Sequence, residues 1–142
     1  MFDRILFFVN NSAESLAAAD KVISLADKFG SQIIALNIVD PNVARQLTRV
    51  GGKRESEIYV ELEEDGWKYL YHVEELATEQ GVKILLQQDE GTPENLVVAN
   101  ARQFKVDLVT LAGKLERSRG SGNVERMVTQ LIKHLDCPVL VL

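Results

Sequence analysis

MFDRILFFVNNSAESLAAADKVISLADKFGSQIIALNIVD, residues 1–40, reads as a strand, a helix and a second strand, and the rest of the fold follows from that reading. Arg4–Val9 and Gln32–Val39 are short runs of Ile, Leu, Val and Phe bounded by polar residues. They are almost continuously apolar rather than alternating, as expected of parallel strands covered on both faces. Between them Ser12 supplies a capping hydroxyl, Leu16, Ala19, Ile23 and Ala26 form one helical stripe, and Gly30 marks the stop. The opening apolar run is too short to cross a bilayer, follows Asp3 and Arg4, and has no small-residue cleavage signal after it. It is therefore read as a buried strand rather than an export signal.

The same alternation continues outward. Val82–Gln87, Val106–Ala112 and Pro138–Leu142 complete five strands. A long helix is expected over 55–80, with Gly66 weakening its middle and a break possible near Asp65. Thr92, Pro93 and Glu94 start a helix ending near Phe104. Val124, Met127, Val128, Leu131, Ile132 and Leu135 form the apolar stripe of a last one. Asp40–Arg54 is read as a long basic connection, either an ordinary solvated loop or a mobile, lid-like one. Right-handed crossovers between parallel strands place helices on both faces, so the fold class is α/β, a three-layer sandwich.

A chain of 142 residues, 46% hydrophobic, suits one domain spanning 1–142. Its net charge of −5 argues against nucleic acid or a membrane surface as partner. Cys137 is the only cysteine, which excludes an internal disulfide and fits a reducing, cytoplasmic setting.

Ligands of open parallel sheets bind outside the carboxyl ends of the strands. The loops to inspect are VNNS after the first strand, VDPN after the second, DEGTP after the third, and VTLAGKLERSRGSGNVERMV, residues 109–128, after the fourth. That last stretch has two readings. One is a surface connection. The other is an anion cradle, in which Gly113 combines with Gly120, Ser121, Gly122 and Asn123 just before a helix, with Lys114, Arg117 and Arg119 adding charge. Elsewhere the chemistry is thin. His72 and His134 have no second ligand at helical spacing, so no metal site is expected. Cys137 is read as a structural thiol, Asp89–Glu90 as a charged turn, and Trp67, Tyr69 and Tyr71 as packing or contact residues. No catalytic residue can be nominated.

Taken together, residues 1–40, EGTPENLVVANARQFKVDLVTLAG and HLDCPVLVL resemble the universal stress protein (UspA) family in their order along nearly the whole chain. The resemblance implies an adenine-nucleotide alpha hydrolase-like sheet of order 3-2-1-4-5, frequent dimerisation through the last strand, and, in many members, ATP bound by a G-x2-G-x9-G-(S/T) motif after the fourth strand. It also implies contacts from the first turn, here Asn10, Asn11 and Ser12, and from the end of the second strand, here Val39. Gly113 matches the first glycine of the motif, but the later positions fall on Glu116, Glu125 and Arg126. A carboxylate at such a position repels phosphate. Asn10 stands where ATP-binding members usually carry an acid.

The closing PVLVL adds a physical argument for pairing. A terminal strand at a sheet edge leaves backbone groups and Val139, Leu140 and Val141 uncovered unless a second copy covers them. The leading expectation is therefore a small cytoplasmic stress-response protein, non-catalytic, acting as a homodimer on a protein partner, with a degenerate nucleotide loop. The alternative is a nucleotide-dependent switch that binds ATP, or another adenine nucleotide with Mg, through the displaced glycine cluster, with slow hydrolysis only if binding is retained.

Overall fold

A computed structural model describes residues 1–113 and 124–142. Five parallel strands, β1 (Arg4–Phe8), β2 (Gln32–Val39), β3 (Ile84–Glu90), β4 (Leu108–Leu111) and β5 (Val139–Val141), form one sheet of order β3-β2-β1-β4-β5. The helices are α1 (Ala13–Phe29), α2 (Pro41–Gly51), α3 (Glu55–Glu79), α4 (Pro93–Gln103) and α5 (Val124–His134).

Two cores lie on opposite faces of the sheet. Ile5, Phe7 and Val9 point to the side of α1 and α3, where Val22, Leu70 and Val73 meet them. Leu6 and Phe8 point to the side of α4 and α5, against Val97, Met127 and Leu131. The near-continuous apolar character of β1 is thus explained by burial on both faces. Its entry is clamped by Asp107, whose carboxylate oxygens accept the backbone N–H groups of Asp3 and Arg4 at 2.9 and 3.0 Å.

Helix α1 forms as its sequence dictates. The Ser12 hydroxyl accepts the Ser15 N–H, and Gly30 closes the helix at φ 67°, a conformation that costs glycine little.

Two expectations are corrected. Asp40–Arg54 is not a long loop: 41–51 is helix α2, with Asp40 capping the Asn42 N–H and Pro41 in the first turn. Nor does Gly66 break α3, which runs unbroken over Glu55–Glu79. Gly66 is there because α3 lies hard against the sheet; a Cβ would meet Asn37 Oδ1 at 2.0 Å and Gln88 Nε2 at 2.6 Å. At the start of α4, Pro93 occupies the first turn, but the Thr92 hydroxyl makes no capping bond.

Candidate functional site

The order β3-β2-β1-β4-β5 puts the topological switch between β1 and β4. Beyond it α1 leaves to one face, while the helices flanking β4 lie on the other. The turns beyond β1, β2 and β3 and the exit of β4 at Gly113 therefore border one crevice.

The turn after β1 is tied into α1. The Asn10 N–H donates to Ser15 Oγ at 3.0 Å, and that hydroxyl donates to Asn10 Oδ1 at 2.6 Å. The Ser12 hydroxyl donates to the same Oδ1. Asn10 thus spends its acceptor oxygen on two serines beside it. Its neighbour is drawn the other way, Asn11 Oδ1 accepting from Asn37 Nδ2 at 2.8 Å and Asn11 Nδ2 reaching the Leu62 carbonyl of α3 at 3.5 Å.

Asn37 and Gln88 hold that arrangement from beneath, and neither was singled out in the sequence. Asn37, 1% exposed, also donates to the Val9 carbonyl at 2.8 Å. Gln88 Nε2 donates to Asn37 Oδ1 at 3.1 Å and to the Glu63 carbonyl at 2.9 Å. The signal for Asn37 was available: one amide inside the apolar run QIIALNIV must find partners, because an unsatisfied buried amide is costly. Together these bonds fix the β1 turn to β2, β3 and α3.

At the far rim, Val39 is buried and its carbonyl accepts the Gly91 N–H at 3.0 Å. Tyr59 of α3 has its phenol pushed above the ordinary range, first by burial and then by the Glu90 and Glu55 carboxylates. Gly113 leaves β4 against the end of β5, where a Cβ would meet the Leu142 carbonyl oxygen at 2.9 Å. Its lack of a side chain thus serves packing whatever else it does. Glu125 stands exposed in the first turn of α5, where a carboxylate is favoured by the helix dipole. Lys114, Glu116, Gly120, Ser121, Gly122 and Asn123 lie outside the described residues.

The geometry brings Asn10, Asn11, Ser12 and Val39 to the carboxyl ends of β1 and β2, as the sequence placed them. Acids also stand at the ends of these elements: Glu14 in the first turn of α1, Asp40 capping α2, and Asp89 and Glu90 ending β3, with the Asp89 carboxylate accepting from Gln87 and Asn100. Among the described residues no three His, Cys, Asp or Glu side chains gather as a metal set, and no helix is long and apolar enough to cross a membrane.

A sequence profile of the Universal stress protein family matches residues 1–142. The chain belongs to the universal stress protein family. It is 31% identical to universal stress protein MJ0531 of Methanocaldococcus jannaschii, over 99% of this chain and 82% of that one. Among solved structures it is similar to UspA of Lactobacillus plantarum, with a TM-score of 0.81 at 19% identity over 99% of this chain and 97% of the other. A universal stress protein from Archaeoglobus fulgidus, solved in complex with dAMP, gives 0.65 at 12% identity over 99% and 97%. At these identities the structural likenesses establish the adenine-nucleotide alpha hydrolase-like fold.

Proposed function

We propose that this universal stress protein is a non-catalytic, cytoplasmic stress-response protein that acts as a homodimer by binding a protein partner, with its adenine-nucleotide site weakened at the first turn. One observation carries the reading: Asn10 Oδ1, the atom nearest in kind to the acid of nucleotide-binding members, is engaged by the Ser12 and Ser15 hydroxyls. A neutral amide so engaged offers no anionic acceptor to a nucleotide sugar. The acids around the crevice add repulsion toward phosphate.

Calorimetry with ATP, ADP and AMP, each with magnesium, tests this. The wild-type chain is expected to bind with Kd no tighter than about 1 mM. Asn10→Asp is expected to tighten binding about ten- to a hundredfold, since a charge-assisted hydrogen bond is worth roughly 1.5–3 kcal/mol. Micromolar binding by the unaltered protein would overturn the proposal.

The dAMP complex of the Archaeoglobus fulgidus neighbour supports a second reading, a nucleotide-dependent switch using Gly113, Lys114 and Gly120–Asn123. On that reading the wild-type chain binds ATP and magnesium tightly, and Gly120→Asp with Gly122→Asp abolishes it.

A further inference from the structure

A run of unmixed positive charge lies where α2 ends and α3 begins, beside the Tyr59 rim of the crevice, where Arg45 works against the rise of the phenol. Residues 41–54 carry Arg45, Arg49, Lys53 and Arg54 and no acid, in a chain whose net charge is −5. All four are exposed, and between them stands Val50, 88% exposed. Lys53 pairs with Glu61, and the Arg45 guanidinium donates to Asn42 Oδ1. Arg49 and Arg54 have no carboxylate partner among the described residues.

This arrangement opposes local stability at two points. Arg45 and Arg49 are like charges four apart on one helix, a spacing that repels. Arg54 occupies the N-cap of α3, where it makes no side-chain capping bond and sets a positive charge against the positive end of the helix. Serine there would complete a capping box with Glu57. Lys53 is held by Glu61 and Arg45 by Asn42, whereas among the described residues no such contact accounts for Arg49 or Arg54.

We infer that this corner, formed by Arg45, Arg49, Val50, Lys53 and Arg54, is a docking surface for a short acidic segment of a partner protein that carries an apolar residue to cover Val50. The inference rests on the partner-binding reading above and names the partner's chemistry. The size and surroundings of the patch select among polyanions. Helix α2 is about 16 Å long at 1.5 Å per residue, and Glu55, Glu57 and Glu61 border the patch on α3. A long or planar polyanion, such as a nucleic acid or an anionic bilayer, would run onto those carboxylates. A short acidic peptide fits between them, and Val50 gives it an apolar contact that phosphate cannot use.

Fluorescence anisotropy with two labelled synthetic peptides tests the inference. One is short, rich in Glu and Asp, and carries leucine; in the other serine replaces leucine. The leucine peptide is expected to bind the full chain and to lose about tenfold in affinity with Arg49→Glu combined with Arg54→Ser, with comparable weakening as salt rises. Val50→Ser should bring the two peptides to equal affinity. The Arg54→Ser change supplies a helix cap, so a folded variant is expected, and a thermal melt verifies it. Absent peptide binding, or binding that ignores the arginine changes, overturns the inference. So does tighter arginine-dependent binding of single-stranded DNA or phosphatidylserine vesicles. Sedimentation separates the two readings: a dimer that ignores the peptide refutes the docking surface alone, and a monomer that binds it refutes the dimer alone.

Discussion

A methyl group on Gly66 would sit 2.0 Å from Asn37 Oδ1, far inside the contact distance of a non-bonded carbon and oxygen. Gly66→Ala therefore sets two effects against each other. Helix propensity gains about 1 kcal/mol, while overpacking costs about 1–3 kcal/mol and the Gln88–Asn37 hydrogen bond, worth about 1 kcal/mol, is strained. The expected result is net destabilisation, read as a lower urea midpoint at unchanged slope; a stabilised variant would show that the sheet and α3 part easily. Cys137 offers a second prediction. Its thiol is pushed above its ordinary range, first by burial, then by the Asp107 and Asp136 carboxylates, against a smaller lowering by the Val109 backbone. Only the thiolate reacts, so at about pH 8 iodoacetamide should modify the folded protein several-fold more slowly than the urea-unfolded chain. Equal rates would contradict the raised thiol. At this scale the sequence was only partly readable. Asn10 and Ser12 were recognisable because a polar turn follows an apolar strand. Gln88 was not, because its partners, Asn37 and the Glu63 carbonyl, are distant in sequence and meet it only after β2, β3 and α3 have packed.

Among elements, the strands were legible as runs of β-branched and large apolar residues, with ends that shift where pairing stops. β3 extends through the polar residues Gln87–Glu90 because β2 pairs with it up to Val39. Helix α2 went unread although its start carries the same grammar as α4: Asp40–Pro41 parallels Thr92–Pro93, and Val43, Leu47 and Val50 recur at helical spacing. The four cations and the Gly51–Gly52 pair made it look like loop. What decides for helix is the Asp40 cap together with burial of Ala44. The junction of α2 and α3 gives a prediction about stability. Replacing Arg54 with Ser should raise unfolding free energy by about 0.5–1.5 kcal/mol through the Ser–Glu57 box, measured by denaturant titration. No gain would mean that Arg54 already contributes a stabilising contact at the N-cap.

For the whole molecule, β5 is an edge strand, with Val139 and Leu140 half-buried and Val141 41% exposed. On the dimer reading, Val141→Lys places a charge where a second copy would pack, and edge lysines discourage strand pairing. Sedimentation at micromolar concentration should then show a dimer for the wild-type chain and a dimer weakened at least tenfold for the variant, a loss of about 1.4 kcal/mol. A monomeric wild-type chain would end that reading. The five-stranded topology could be inferred from the alternation of apolar runs and amphipathic stretches. The crevice chemistry could not, since it depends on which of several nearby polar groups bond one another. The clamp of Asp107 on Asp3 and Arg4 has one more consequence, for synthesis. The central strand is made first, yet its second edge and its clamp come from residues some hundred positions later. At about 5–20 residues per second of translation, Ile5–Phe8 waits roughly 5–20 s on the ribosome with half its surroundings missing. Nascent chains shorter than that span should lean on chaperones that capture exposed apolar strands.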